Sequence, residues 1–157
     1  MKISHLGILV IFISLVAAVL VVGSVSVIKE YPMSGSSAKP MPQDRISYDE
    51  IHPAKNSVTI DIENPVIVAV ANTGSMLPAF NENSNLIEIV PKSDQEIHVG
   101  DIVSYQYGND VIVHRVIEIG NDENGWYAVF KGDNNPSADP AKVRFSQIKR
   151  IVIGIIY

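Results

Sequence analysis

The sequence predicts a mainly β domain, built as one or two curved antiparallel sheets and preceded by one N-terminal transmembrane helix. Three observations carry this expectation. Residues 6–28 form an uncharged stretch dominated by Leu, Ile and Val. After residue 57 the apolar residues come in short β-branched runs bounded by Gly, Asn, Asp or Pro. None of those runs has helical length or period.

Taken in order, residues 1–5 read as a short cytoplasmic N-terminus. An α-helix over the next stretch of about 23 residues would be roughly 34 Å long, enough to cross a hydrocarbon core of about 30 Å. The run is longer than the apolar core of a cleaved secretory signal, about 7 to 15 residues. Lys2 and the amino terminus precede it, whereas Lys29 behind it is offset by Glu30, so charge bias puts the N-terminus in the cytoplasm and everything after residue 28 outside. Localisation is thus expected in the cell membrane as a single-pass protein, with the lipid bilayer as one partner.

Residues 29–57 carry Pro32, Pro40, Pro42, Pro53 and Gly35 with a Ser-rich patch, and they lack any apolar period. They read as a linker with one helical turn after Ser47. A flexible chain of that length has a root-mean-square span on the order of 30 Å. Residues 58–157 then form the expected β domain, with strands at 58–62, 66–71, 86–90, 102–107, 111–119, 126–131 and 151–157. Turn signals at Gly108-Asn109-Asp110 and between Asn121 and Gly125 join neighbouring runs as hairpins.

Composition narrows the chemistry. The 157 residues hold 12 Lys and Arg against 17 Asp and Glu, a net charge of -5, and no basic cluster that could neutralise a run of phosphates, so nucleic acid is not an expected partner. Cysteine is absent, which removes disulfides and thiolate catalysis. Spacings among His5, His52, His98 and His114 match no zinc-peptidase pattern, and no metal or cofactor is expected.

Three stretches bear chemistry: TGSMLP around Ser75, VIVHRV around His114, and KGDNNPSAD from Lys131 to Asp139. Ser75 follows an apolar run between Gly74 and Pro78, where a strand gives way to a turn and a hydroxyl is exposed; the same residues also suit an ordinary turn. His114 sits within an apolar strand, on one face with Ile112 and Val116, where it is either a base in need of a partner or a core imidazole bonded to a carbonyl. In the third stretch, Asx residues commonly close turns on their own backbone. A serine hydroxyl becomes a useful nucleophile only beside a base that a third group orients. Ser75, His114 and either Asp133 or Asp139 offer that set.

Jointly, the three stretches resemble the nucleophile, histidine and aspartate boxes of the signal peptidase I family, in its archaeal and endoplasmic-reticulum type, over residues 66–157. In the bacterial branch, as in the related LexA-type self-cleaving repressors, a lysine takes the place of His114, so the histidine puts this chain on the Ser-His-Asp side. The resemblance implies Ser75 as acyl-forming nucleophile, His114 as general base, Asp139 as triad acid and Asp133 as a second, supporting aspartate. It implies that the Thr73 hydroxyl and the Ser75 backbone N–H bind the oxyanion. The implied activity is that of a serine endopeptidase removing signal peptides from exported precursor proteins, with small residues one and three positions before the scissile bond and residues 66–71 as the edge that receives them. A binding module that keeps the fold without the activity, and a peptidase acting on other surface proteins, are the alternatives.

Overall fold

The computed structural model describes residues 39–157. The expected cytoplasmic N-terminus at 1–5, the transmembrane helix at 6–28 and the first ten residues of the expected linker lie outside them. Among the described residues no helix is long and apolar enough to cross a membrane.

The described chain is mainly β and antiparallel throughout. Strands β1 (Ile51–Pro53) and β2 (Val58–Ile60) pair as a small, exposed ribbon. The other six are β3 (Val66–Ala69), β4 (Asn85–Ile89), β5 (Ile102–Tyr107), β6 (Asp110–Asp122), β7 (Gly125–Lys131) and β8 (Ile148–Ile156). They form one sheet in the order β3-β4-β8-β5-β6-β7. The helical turn expected after Ser47 is a single 3-10 turn, Tyr48–Glu50.

Alternation along the strands gives the sheet a core on each face. Val103 and Tyr105 of β5 join Val116, Phe130, Val143 and Ile151 on one side. Ile102, the first residue of β5, joins Met76, Phe80, Leu86 and Val152 on the other. The middle of β6 is therefore buried from both sides, and adjacent His114 and Arg115 are each only 7 % exposed.

The sheet is strongly curled. β3 and β6 stand four positions apart in the strand order, roughly 19 Å in a flat sheet at about 4.8 Å per strand. Yet Ser75, just beyond β3, reaches His114 of β6, and both strands line one groove.

Residues 39–47 run along this domain as a strap. The Gln43 amide and the Arg45 guanidinium donate to the two oxygens of Asp101, at 2.9 and 2.6 Å. The Asp101 side chain has no exposed surface and also accepts from the His98 amide at 2.9 Å. A buried carboxylate needs this many donors. Gly100 lies against the strap with φ of +104°, and a Cβ there would fall 2.0 Å from the Met41 carbonyl oxygen, so only glycine admits the contact.

Candidate active site

Ser75 sits where β3 has ended. Gly74 before it has φ of +64°, a left-handed conformation that glycine adopts without strain, and Met76 after it is a buried anchor in the second core. The serine hydroxyl is thereby turned out of the chain while its neighbour is held in.

The Ser75 backbone is clasped by the loop that follows β7. The Asn134 amide donates to the Ser75 carbonyl at 2.8 Å, and the Asn134 side chain donates to the Gly74 carbonyl at 3.1 Å. Gly132 makes this approach possible, because a Cβ there would lie 2.8 Å from the Ser75 carbonyl oxygen and 2.7 Å from Asn135 Nδ2.

Three side chains from separate parts of the sequence then fall in line. Ser75 Oγ lies 3.1 Å from His114 Nε2, and His114 Nδ1 lies 2.7 Å from Asp139 Oδ2. The Asp139 amide donates to the Phe130 carbonyl at 2.8 Å, fixing the end of the loop to β7. Since a carboxylate only accepts, Nδ1 carries the proton toward Asp139, which leaves Nε2 free to accept from the serine. Thr73 Oγ1 is 3.0 Å from Ser75 Oγ and 3.4 Å from the Ser75 backbone nitrogen.

Asp133 is placed elsewhere. Arg115, next to His114 but on the opposite face of β6, donates to both of its oxygens, Nε to Oδ1 at 2.8 Å and Nη2 to Oδ2 at 2.7 Å. Lys39 of the strap adds a cation 3.6 Å from Oδ2. Burial acts to raise the Asp133 carboxyl, but the paired Arg115 and the nearby Lys39 hold it below the ordinary aspartate range. Arg115 Nη1 also donates to the carbonyls of Gly100 and Pro40, at 2.9 and 3.2 Å. The loop, the strap and β6 are thus tied at one guanidinium.

Two residues here were not singled out by the sequence. The Tyr105 hydroxyl donates to Asp139 Oδ2 at 2.6 Å while its ring, fully buried, stacks on Phe130 with centroids 4.4 Å apart. Burial, and next the bond to Asp139, push this phenol far above its usual range, so it stays a neutral donor. The other is Arg115. A tyrosine at an inward strand position signals a buried hydroxyl that must find an acceptor, but not which one.

A groove of about 650 Å³ opens beside Ser75 and His114, a size suited to small ligands or a few residues of a chain. One wall is residues 68–71, continuing from β3, whose outer edge has no strand partner among the described residues. The other is Val111, Ile112 and Val113 of β6, and Glu88, Ser104 and Arg150 also border it. Burial raises the Glu88 carboxyl above the ordinary glutamate range, with Arg150 and then Ser104 acting against that. Among the described residues, no three His, Cys, Asp or Glu side chains group as metal ligands.

No family model and no solved structure matches the chain. Curated relatives do. Signal peptidase I W of Bacillus subtilis is 31% identical over 83 residues, 52% of this chain and 44% of that protein. The signal peptidase complex catalytic subunit sec11 of Dictyostelium discoideum is 38% identical over 76 residues, 46% of this chain and 40% of that protein. The corresponding subunit of Schizosaccharomyces pombe is 30% identical over 122 residues, 64% of each chain. The chain therefore spans about half the length of these relatives, and over about half of its own length it is similar to signal peptidase I and to the SEC11 catalytic subunits of signal peptidase complexes.

Proposed function

We propose that this chain is a serine endopeptidase that removes signal peptides from exported precursor proteins, anchored to the membrane through residues 6–28 with its β domain outside the cytoplasm. The observation that carries this reading is the continuous line from Ser75 Oγ through His114 to Asp139, set at the mouth of a groove with a strand edge that is unpaired among the described residues.

A precursor segment adds in extended form to the outer edge of β3, where main-chain hydrogen bonds give affinity and the groove selects side chains. Ser75 Oγ attacks the scissile carbonyl carbon as its proton passes to His114 Nε2, and the same proton then goes to the leaving amine, a contribution of about 10² to 10⁴ in rate. Asp139 stabilises the imidazolium that exists between those transfers. The oxyanion takes the Ser75 backbone N–H and the Thr73 hydroxyl as donors; the 3.4 Å contact between those two groups at rest is long and easily given up. Water then releases the acyl group by the reverse sequence, with His114 again as base. Asp133 has a supporting part, holding the loop through Arg115.

The test is cleavage of a signal-peptide-bearing precursor by the full chain in detergent. Cleavage by the parent protein and its loss in both Ser75→Ala and His114→Ala, with the tertiary spectrum unchanged, are expected. Undiminished cleavage in either variant rejects the mechanism.

A further inference from the structure

The reaction described above leaves one group in the groove without a task. Glu88 stands on β4 with its residue surface fully buried, and neither carboxylate oxygen has a hydrogen-bond partner among the described residues. A cation, Arg150 of β8, holds Nη1 at 3.8 Å from Oε2, beyond hydrogen-bond distance. Ser104 on β5 faces Arg150 in the strand register; its hydroxyl is turned to the Arg150 carbonyl at 3.4 Å and lies near enough to Glu88 to act against the rise of that carboxyl, but not in hydrogen-bond geometry with it. All three residues border the groove that Ser75 and His114 border.

An unsatisfied carboxyl at a buried strand position is destabilising by itself, where valine or isoleucine would suit the strand. The groove is otherwise largely apolar, with Val68, Val70, Phe80 and Val113 among its lining residues. A pocket of that kind discriminates strongly in favour of a ligand that brings the missing donor, since an alkyl group in its place leaves the polar atoms unpaired.

The charge balance narrows the donor. Arg150 already sets a positive charge near Glu88, so a lysine or arginine from a substrate would meet a like charge in a desolvated space. A neutral hydroxyl meets no such opposition and adds the hydrogen bond that the carboxyl lacks.

Resting on the peptidase reading, we propose that Glu88, with Arg150 beside it, forms a specificity-determining subsite that takes a Ser or Thr hydroxyl of the substrate chain in preference to an alkyl side chain of the same size. An extended chain laid along β3 turns alternate side chains toward the sheet. The preference therefore belongs to one substrate position and not to its immediate neighbours.

The experiment uses the full chain in detergent and precursor-derived peptides in which each residue before the scissile bond is exchanged in turn, Ala for Ser and Val for Thr. The parent enzyme is expected to show a preference of about tenfold or more in kcat/KM for the hydroxyl at one position. Glu88→Leu should bring that ratio to within about twofold of unity, whereas Glu88→Gln, whose amide oxygen still accepts, should keep a preference for the hydroxyl. A flat profile in the parent enzyme overturns the subsite while leaving the peptidase reading intact, and it decides the matter even if Glu88→Leu does not fold. A ratio unchanged in Glu88→Leu also overturns it. If the parent enzyme cuts no peptide and no precursor, the peptidase reading falls and the subsite falls with it.

Discussion

Tyr105 Oη lies 2.6 Å from Asp139 Oδ2, the same oxygen that faces His114 Nδ1 at 2.7 Å. One carboxylate oxygen is therefore held from two directions, by a ring locked in the core and by the imidazole. The aspartate is fixed before any substrate arrives, and the histidine takes its orientation from that fixed point.

Tyr105→Phe removes one of the two donors and keeps the stacked ring. A hydrogen bond to a charged group is worth about 1.5 to 3 kcal/mol, so kcat should fall roughly tenfold or somewhat more. KM should hardly change, because the residue is shut off from the groove. Steady-state kinetics on a precursor peptide check this, and a change confined to KM contradicts it.

Asp139→Asn and Asp133→Asn should part company. The first leaves the fold intact and lowers kcat by up to about 10⁴, as loss of the orienting carboxylate does in serine-protease triads. The second breaks a bidentate, largely buried pair with Arg115 and should lower stability by about 3 to 5 kcal/mol. Fluorescence of Trp126, the one tryptophan of the chain, follows unfolding.

Acid should loosen the domain through the same pair. The folded Asp133 carboxyl titrates below its ordinary value, and so does Asp122, which Arg144 and Lys142 hold at the end of β6. A depressed folded pKa gives stability that is complete above the unfolded value, about 3.9, and is lost as pH falls through the folded one. The midpoint of thermal unfolding should drop below about pH 4. In Asp133→Asn that acid limb should be shallower.

Glu88 has the opposite sign. Its folded carboxyl is raised by burial, so its contribution is complete below the unfolded value, about 4.3, and is lost as pH rises through the folded one. Glu88→Gln cannot ionise and escapes that loss. Its melting midpoint should exceed that of the parent protein at pH 8, and the difference should shrink toward pH 4. An equal or lower midpoint at pH 8 contradicts the assignment.

Arg45→Met withdraws the cation from Asp101, whose side chain is fully buried. A loss of about 3 kcal/mol is expected, as when one partner of a buried pair is removed. The Gln43 amide, bonded to the other oxygen of Asp101, should exchange faster with solvent. Hydrogen exchange resolved at that amide is the direct measurement.

What the sequence made legible follows from what local pattern can encode. Strands β5, β6 and β7 are β-branched runs joined by Gly-Asn and Glu-Asn turns, so their hairpins are written in adjacent residues. β8 was visible as a strand, but not its place between β4 and β5, since that order depends on contacts between distant residues. β1 was hidden by its three-residue length and by Pro53, and residues 39–47 looked like linker because their hold on the domain is made by single polar contacts without any period. At the site, Ser75 and His114 were legible as residue types in suggestive places. Choosing between Asp133 and Asp139 was not, because they share one loop and their difference is whether Arg115 or His114 faces them. Glu88 sits inside an apolar run, and its lack of a hydrogen-bond partner among the described residues appears only once β4, β5 and β8 are assembled.

The strap alters the tether that the proposed membrane anchor implies. With residues 39–47 fixed to the domain, ten residues, 29–38, remain between the apolar run and the first docked side chain, Lys39. A chain of ten residues reaches at most about 35 Å and averages about 17 Å as a coil, where the whole of 29–57 would average about 30 Å. On the proposed anchoring, the volume such a leash would sweep is smaller by about fivefold, and the effective concentration of Ser75 toward a bond emerging at the bilayer surface would rise by a similar factor. For a chain anchored as proposed, docking the strap would set how often the site and a membrane-held bond meet before any recognition begins.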